Sequence, residues 1–225
     1  MQTLEIPKLT YRASKLKSLL NGYAYVNLSD NVLVFWDQQR NECDIAVIDN
    51  KRNIYTKKEY NALPEGAPFQ LINGKLIQMA SPNRIHQRIL MRLINLLFSY
   101  VESNNLGEVY PAPLDVELDK FNIYQPDILF VSKARKEILQ ERVKGAPDFV
   151  VEILSQNKKH DLGDKMEGYG KFGVKEYWVI DPENKTLIIY QNKDGEMKEV
   201  ANLTKEDTAV SNTIPGFEVA LSQLF

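Results

Sequence analysis

Apolar residues in the first fifty positions fall into short runs, and polar residues separate one run from the next. Each run holds β-branched or aromatic residues, and Ser, Asp or Asn lies between the runs. The runs are YAYVNL, NVLVFW and CDIAVID. This pattern predicts three short β-strands joined by turns. We expect residues 1–54 to form a β-rich extension and residues 55–225 to form a separate, larger domain.

Beyond residue 54 the pattern predicts a short helix, a hairpin and a long helix. The segment YTKKEYNALPEG holds a short helical run that a Pro/Gly turn ends. The segment FQLINGKLIQM alternates around the Asn-Gly pair at 73–74, which is a hairpin signature. Apolar residues from Arg84 to Val101 recur every three or four positions and predict a long helix.

Strand candidates and a second helix complete the chain. Three strand candidates precede this helix and two follow it: GEVYPAPLDVEL, NIYQPDILFV and APDFVVEIL before it, EYWVIDP and TLIIYQ after it. The helix is predicted from Asp161 to Phe172, and the tail IPGFEVALSQLF is predicted to hold a short strand and a helical turn. From Arg84 the order is therefore α-β-β-β-α-β-β. This order predicts an α/β (α+β) fold in which helices flank a mixed β-sheet.

Composition and charge narrow the class of protein. The 225 residues are 44% hydrophobic and 26% charged, which is ordinary for a globular protein with a substantial core. The net charge of −2 carries no overall basic signal, so any nucleic-acid surface has to be local. Cys43 is the single cysteine, which excludes an internal disulfide and a cysteine-based zinc site.

Targeting and cofactor signals are missing from the sequence. No apolar run reaches the length of about 18 residues that a membrane helix needs, and the N-terminus lacks the apolar segment of an export signal. We therefore expect a cytoplasmic protein without a membrane contact. The phosphate-loop pattern GxxxxGK[ST] does not occur, and we expect no nucleotide cofactor.

Two strand candidates carry an acid beside bulky apolar residues: Asp127 in NIYQPDILFV and Glu152 in DFVVEIL. A buried, unpaired carboxylate costs several kcal/mol unless it takes up a proton. Two such acids facing the same way would form an oxygen-rich site suited to Mg²⁺, and such a site suits metal-assisted hydrolysis of a phosphodiester. Alternatives remain open at this point: Asp127 exposed in a turn, Glu152 facing solvent or pairing with a lysine, or the two acting as a glycosidase pair. The glycosidase interpretation is disfavoured because neither the element order nor a cluster of substrate-stacking aromatics supports it.

A long part of the chain resembles a known family. Pro126-Asp127 followed by Glu152, with a basic residue further on, is similar to the motif of the PD-(D/E)XK nuclease superfamily. More closely, the chain from Tyr55 to Phe225 resembles the Uma-type family of restriction-endonuclease-like proteins. The stretches that carry the resemblance are ALPEGAPFQLINGKLIQMASPNRIHQRI, PLDVEL, YQPDILFVS, GAPDFVVEILSQNKKHDLGDKMEGYGKFGVKEYWVIDPENKTLIIY and IPGFEVALSQLF.

The resemblance implies a fold and an activity. It implies a restriction-endonuclease-like core of order α-β-β-β-α-β and a nuclease that cuts DNA with Mg²⁺ or Mn²⁺. Asp127 and Glu152 would then be metal ligands and catalytic residues, and the backbone carbonyl of Ile153 would add a further ligand. Nucleases of this kind often act as dimers, so the resemblance also implies a homodimer.

The superfamily lysine is not in its usual place. That lysine comes two residues after the acid, where this chain has Leu154. The resemblance of DLGDKMEGY to the family favours Lys165 as a replacement that positions water or offsets negative charge. Asp161, Lys165 and Tyr169 have i, i+4, i+8 spacing and share one helical face, with Asp161 and Tyr169 as supporting residues. A plain surface pair between Asp161 and Lys165 is the alternative. Two further lysines follow the end of the same strand, Lys158 and Lys159. They are weaker candidates for this role, or contacts to phosphate.

Several other residues are candidates for supporting roles. Arg84, Arg88 and Arg92 form a basic stripe that either tracks phosphates or is the ordinary polar face of an amphipathic helix. His86, in the first turn of that helix, would lean toward the metal, bind a phosphate, or cap the helix. Asp115 would point at the site from the first strand. The segment SKARKEILQERVK would add local positive charge beside the site.

One departure bears on activity. Related sequences usually have acids where this chain has Gln70, Asn73 and Lys75, so we expect weaker metal binding. Two hypotheses follow: a Mg²⁺-dependent endonuclease, or a catalytically weakened nuclease-fold protein that acts as a DNA-binding or assembly module. Divalent-metal binding at Asp127 and Glu152 discriminates between them.

Overall fold

The computed structural model describes the backbone of residues 25–29, 32–37 and 42–47, and backbone and side chains of residues 54–63, 66–155 and 162–225. In the first three of these ranges the strands β1 (Tyr25–Ser29), β2 (Val32–Asp37) and β3 (Glu42–Val47) form an antiparallel sheet in that order. These strands coincide with the three predicted runs. The division of the chain at residue 54 stays a prediction.

A short helix and a hairpin precede the long helix. Helix α1 (Lys57–Tyr60) begins at Thr56, whose N–H donates to Glu59 Oε2 at 2.8 Å in a capping box. Strands β4 (Phe69–Ile72) and β5 (Lys75–Gln78) pair in antiparallel fashion. The turn residues at 73 and 74 have φ angles of 49° and 73°, which a two-residue hairpin loop requires and which Asn-Gly supplies at low cost. The predicted hairpin is confirmed.

The long predicted helix is α2 (Arg84–Ser103). The side chain of Asn83 caps it by accepting the N–H groups of Ile85 and His86 at 2.9 and 3.0 Å. Its buried face packs on the main sheet and is made of the apolar residues at helical spacing, Ile89, Leu90, Leu93, Leu97 and Val101. None of the helices in the described ranges is long and apolar enough to cross a membrane.

The main sheet is mixed, as the sequence predicts. Its strands are, in chain order, β6 (Gly107–Pro111), β9 (Ile128–Ser132), β11 (Phe149–Ile153), β12 (Glu176–Asp181), β13 (Thr186–Lys193) and β14 (Glu196–Thr204). Their order across the sheet is β14-β13-β12-β11-β9-β6. The central pair β11–β12 is parallel and the other neighbours are antiparallel.

Helix α3 (Asp164–Phe172) covers the opposite face of this sheet from α2, and it ends at Gly173, whose φ of 93° is left-handed. The sequence places its start at Asp161, but the helix begins at Asp164. Positions 156–161, which hold His160 as well as three candidate residues, lie outside the described ranges.

Two predicted strands are wrong as single elements. GEVYPAPLDVEL divides into β6 and β7 (Val116–Asp119), and NIYQPDILFV divides into β8 (Asn122–Tyr124) and β9. In each case a proline lies at the break, Pro113 after a cis peptide bond and Pro126. Proline has no N–H to donate to a ladder, so the chain leaves one sheet there and enters another. A second sheet results, of order β10-β7-β8-β4-β5, with β10 at Val143–Lys144.

The charged segment before β11 and the chain's end add small elements. A 3₁₀ helix covers Lys133–Ile138, where the sequence predicts only a charged connection. Strands β15 (Thr208–Val210) and β16 (Glu218–Ala220) pair, and a 3₁₀ turn follows at Leu221–Gln223. Arg92 of the predicted basic stripe donates to the Leu224 carbonyl at 3.2 Å, so it holds this tail against α2.

Asp148 and Glu176 are buried acids that lie away from the candidate site and are satisfied by hydrogen bonds. Glu176 accepts the indole N–H of Trp178 at 2.6 Å and two backbone N–H groups, of Asn212 at 2.9 Å and Thr213 at 2.8 Å. Asp148 accepts the Ser132 N–H at 2.8 Å. Its other oxygen lies 2.7 Å from the Lys175 ammonium. In this fold a buried carboxylate is therefore not by itself a sign of a metal.

We expect Lys175→Met to lower stability near neutral pH by about 1 kcal/mol, a limit set by the exposure of the lysine. Burial raises the pKa of Asp148, but the hydrogen bonds from Lys175 and Ser132 outweigh it and lower that pKa. A lowered pKa contributes stability that is present above the unfolded-state value of about 3.9 and is lost as pH falls through the folded-state value. Urea unfolding should therefore separate the variant from wild type at pH 7 and bring them together in acid. Lys144→Met, on an exposed side chain, is the control; an equal effect of both substitutions would contradict the assignment.

Candidate functional site

Asp127 and Glu152 lie opposite each other on one face of the main sheet. β9 and β11 pair in antiparallel register, with Leu129 opposite Val150 and Ile128 opposite Val151. Continuing this register by one residue places Asp127 opposite Glu152. Directly opposed residues have Cβ atoms about 4.5–5.5 Å apart, so this extended register brings the two side chains close, and both line one cavity.

Glu152 is buried and accepts hydrogen bonds from two side chains of α3. Its Oε1 accepts the Lys165 ammonium and the Tyr169 hydroxyl, both at 2.8 Å. The side chains of Glu152 and Lys165 are each 4% exposed, so the ion pair is shielded from solvent. The ammonium and the hydroxyl explain how a carboxylate is tolerated in the apolar run DFVVEIL. The expected closeness of Lys165 and Tyr169 to Glu152 agrees with these contacts, while their chemical roles stay predictions.

Leu154 occupies the position expected of the superfamily lysine. It alternates with Glu152 and packs in the apolar cluster between the sheet and α3, where it is 7% exposed. Lys165 reaches the Glu152 carboxylate from the helix that covers the same face. The positive charge is therefore supplied from α3 instead of from β11.

Asp127 is oriented by the strand that carries Glu152. Its Oδ2 accepts the Ile153 N–H at 2.6 Å and lies 3.2 Å from His86 Nε2. Within the described ranges its other oxygen, Oδ1, accepts no hydrogen bond. The Ile153 carbonyl lies on the same side of β11 as its N–H, beyond the last residue of β11 that pairs with β9. His86 is buried at 6% exposure, in the first turn of α2.

A cavity of about 350 Å³ adjoins these residues. Asp127 and Glu152 are the acidic side chains that line it, together with His86, Ile153 and Lys165. Across the part of the chain described with side chains, no group of three or more His, Cys, Asp or Glu residues is arranged for a metal ion. Any metal here would therefore depend on two carboxylates, backbone oxygen and water.

Two glutamines in the cavity wall are linked to each other. Gln70, at a position where the resemblance implies an acid, accepts the Gln125 N–H at 2.9 Å through Oε1. Gln125 was not predicted from the sequence to belong to the site, although its position directly before Pro126-Asp127 could have indicated this. Asn73 and Lys75, the other departures, lie in the β4–β5 turn and at the exposed start of β5.

Asp115 does not line the cavity. Its Oδ1 accepts the Tyr60 hydroxyl at 2.8 Å and the Gln125 Nε2 at 2.7 Å, and Arg142 lies 3.4 Å from its Oδ2. Asp115 therefore reaches the cavity only through Gln125, and the expectation that it points at the site is corrected in this sense.

Apart from Lys165, the basic candidates within the described ranges do not line the cavity. Arg84 and Arg88 are exposed on α2, and the charged segment between β9 and β11 supplies none of the lining residues. Its Arg135 lies 3.3 Å from Asp148, at the other end of β11 from Glu152, while its Arg142 lies 3.4 Å from Asp115; the expectation of positive charge beside the site stays a prediction. Three candidates lie outside the described ranges and stay predictions: Lys158, Lys159 and Asp161.

Comparison with known proteins gives the chain a family. The model of the Uma2 family, described as "Putative restriction endonuclease", matches residues 57–222, which is most of the chain. The chain belongs to the Uma2 family. The match leaves out residues 1–56 and includes the described residues of the site.

A solved structure shares the fold of this Uma2 domain. It is a crystal structure of "a putative nuclease belonging to DUF820" from Anabaena variabilis ATCC 29413, with a TM-score of 0.63 and 23% sequence identity. The likeness covers 76% of this chain and 97% of that one, and it confirms the predicted fold class. No curated protein matches the chain.

Close approach of α3 to Tyr124 fixes Lys165 and Tyr169. The Tyr124 and Tyr169 rings meet edge to face with centroids 5.3 Å apart. Gly168 lies against the Tyr124 ring, where an added Cβ would meet Cε2 and Cζ at 3.0 Å and Oη more closely. Burial, followed by the negative charge of Glu152, raises the pKa of Tyr169 well above its usual value, so the hydroxyl keeps its proton and donates to Glu152.

We expect Gly168→Ala to destabilise the protein, because overpacking costs about 1–3 kcal/mol and exceeds the helix-propensity gain of at most about 1 kcal/mol. It should also displace Lys165 and lower any activity of the site. Thermal unfolding of Gly168→Ala in a Tyr124→Phe background is the control, because losing the hydroxyl relieves the closest contact. An equal loss of stability in both backgrounds would contradict the contact as the cause.

Proposed function

We propose that this chain is a Mg²⁺-dependent endonuclease that hydrolyses phosphodiester bonds in DNA, with Mn²⁺ able to replace Mg²⁺. The observation that carries the proposal is the opposed pair Asp127 and Glu152, on a cavity wall beside a buried lysine, in a member of the Uma2 family. Opposed carboxylates with a nearby ammonium are groups that suit metal-assisted hydrolysis.

The donor set fits a hard cation. Asp127, Glu152 and the Ile153 carbonyl offer oxygen, the ligand atom that Mg²⁺ prefers, and Mg²⁺ commonly binds through one or two carboxylates while keeping several waters. The Oδ1 atom of Asp127 is not engaged by the described residues, so a ligand position is available. The chemistry that Mg²⁺ supplies in such a site is neutralisation of phosphate charge and a lowered pKa for water.

The chain's own residues orient and balance this site. The Ile153 N–H and His86 fix the Asp127 carboxylate through Oδ2, and Tyr169 fixes Glu152 through Oε1. The Lys165 ammonium lies at the edge of the cavity, where it would stabilise negative charge that develops on the phosphate. Because these groups are held before substrate arrives, little reorganisation is needed for the reaction.

A second candidate function is favoured by two specific observations. Lys165 already neutralises Glu152, and Gln70 stands in the cavity wall where the resemblance implies an acid. Both features weaken attraction for a cation. The alternative is a nuclease-fold protein that binds DNA or assembles with other components without cutting.

Cleavage assays discriminate between the two functions. Supercoiled plasmid and end-labelled single strands are incubated with the protein in Mg²⁺, in Mn²⁺ and in EDTA. We expect product in Mg²⁺ and Mn²⁺ and none in EDTA. Binding of DNA without product under any metal condition would support the non-cutting alternative and overturn the endonuclease proposal.

A further inference from the structure

The orientations of two amides in the cavity wall are fixed by their partners. Gln125 donates its side-chain Nε2 to the Asp115 carboxylate at 2.7 Å, and an ionised carboxylate only accepts. Gln70 accepts the Gln125 backbone N–H at 2.9 Å, and a backbone N–H only donates. The oxygen and nitrogen of each amide are therefore assigned by the network and cannot be exchanged.

One donor and one acceptor are left over. Gln70 Nε2 and Gln125 Oε1 have no hydrogen-bond partner within the described ranges. Neither atom is completely buried, so both can be reached from outside the protein. Gln70 is only 6% exposed, so the space its remaining N–H groups can reach is the cavity that both residues line. Two residues of the cavity wall thus leave one donor and one acceptor for a ligand.

The rest of the cavity wall is largely apolar. Side chains that contribute to it include Ile72, Ile77, Met79, Pro82, Leu90 and Pro113. The volume of about 350 Å³ lies at the lower end of the range for small-molecule sites, which is room for one nucleotide unit and not for a duplex. A flat group with an adjacent donor and acceptor on one edge matches this combination, and a nucleobase is such a group.

We propose that the cavity binds one nucleobase turned out of the helical stack, next to the phosphate that lies at Asp127 and Glu152. This inference rests on the proposed nuclease function and names its substrate class: single-stranded DNA, or duplex DNA with an unpaired nucleotide. Gln70 and Gln125 hydrogen-bond the edge of the base, and the apolar wall contacts its faces. An intact duplex is a poorer ligand, because its bases must first be unpaired.

Binding without cleavage tests the proposal independently of catalysis. Fluorescence anisotropy in EDTA, at one fixed salt concentration, compares a labelled single strand, the perfectly paired duplex and the same duplex with one unpaired nucleotide. A short oligonucleotide is also compared with the same sugar-phosphate backbone lacking its bases. We expect the single strand and the interrupted duplex to bind at least about tenfold more tightly than the perfect duplex, and the backbone without bases to lose a similar factor.

Gln70→Met supplies the matched variant. It removes the amide but keeps side-chain length, and Gln140→Met makes the same change on an exposed side chain outside the cavity. We expect about a tenfold loss of single-strand affinity for Gln70→Met alone, with circular dichroism unchanged. Equal affinity for single strand and perfect duplex, no effect of removing the bases, or no DNA binding at all would overturn the proposal. A lack of cleavage with the expected binding pattern would instead overturn the nuclease function and leave the base site standing.

Discussion

Asp127→Asn is expected to lower metal-dependent cleavage of DNA by about a thousandfold or more. Removing one preorganised group that stabilises transition-state charge costs about 10²–10³ in rate, and this substitution also removes the charge of one of the two carboxylates that line the cavity. Asparagine keeps an oxygen that can accept the Ile153 N–H, now bound at 2.6 Å by Oδ2. The fold should therefore persist, and the loss should appear in the single-turnover cleavage rate.

The matched control for this loss is Asp194→Asn. Asp194 lies in the β13–β14 turn with a φ of 54°, a conformation that Asn also adopts readily, so this variant should cleave at the wild-type rate. Thermal unfolding of both variants checks that structure is retained. Cleavage by Asp127→Asn within about tenfold of wild type would remove Asp127 from the chemistry, because losing a proposed metal ligand should cost a larger factor.

Lys165→Met is expected to destabilise the protein by about 3–5 kcal/mol, the usual cost of removing one partner from a buried ion pair. The substitution takes away a positive charge 2.8 Å from Glu152 Oε1 and leaves the carboxylate in a site where both side chains are 4% exposed. Methionine fills most of the volume of the lysine stem, so lost packing contributes little. Urea denaturation at neutral pH measures the change.

A double-mutant cycle separates charge from packing in this pair. Glu152→Gln combined with Lys165→Met removes both charges, and we expect the double variant to be more stable than Lys165→Met alone, because no uncompensated charge stays buried. Lys193→Met, at the exposed end of β13, is the control and should change stability by less than about 0.5 kcal/mol. If Lys165→Met lowers the free energy of unfolding by less than about 1 kcal/mol, the Glu152–Lys165 ion pair contributes no more than an exposed pair does. That result would contradict the expected cost of a buried, uncompensated charge.

Glu152 and Lys165 show how far the sequence leads toward the site. The apolar run around Glu152 predicts its burial, and the missing lysine at Leu154 directs attention to the next helix, where spacing places Lys165 and Tyr169 on one face. Both reach Glu152. What spacing cannot give is the distance between two elements, because that depends on packing; here Gly168 lets α3 approach Tyr124 closely.

The larger errors arise where the chain changes sheet. Apolar alternation continues through Pro113 and Pro126, so GEVYPAPLDVEL and NIYQPDILFV each resemble one strand, and the second sheet is not apparent. Strand β14 was missed for a different reason. Its sequence EMKEVANLT is mostly polar and its side chains are largely exposed, so hydrophobic periodicity carries no signal for it, and pairing with β13 creates the strand.

Buried acids in this fold are stabilised in three different ways, which sequence alone does not distinguish. Glu176 is held by N–H donors, Asp148 by backbone and an exposed lysine, and Glu152 by a buried ammonium and a hydroxyl. Each of these three acids lies next to an apolar run or a turn in the sequence, and these surroundings predict a buried carboxylate equally well in all three cases. Only Glu152 has a second carboxylate opposite it and a cavity beside it, and these two features set it apart as a candidate metal ligand.

A crystal of the wild-type protein soaked in Mn²⁺, with anomalous scattering recorded at the manganese edge, tests the central claim most directly. We predict one anomalous peak between Asp127 and Glu152, at about 2.0–2.6 Å from a carboxylate oxygen of each and from the Ile153 carbonyl, and no such peak in a crystal of Asp127→Asn. A soaked wild-type crystal with no peak at these residues, or with manganese only on surface carboxylates elsewhere, would contradict a metal-dependent site at Asp127 and Glu152.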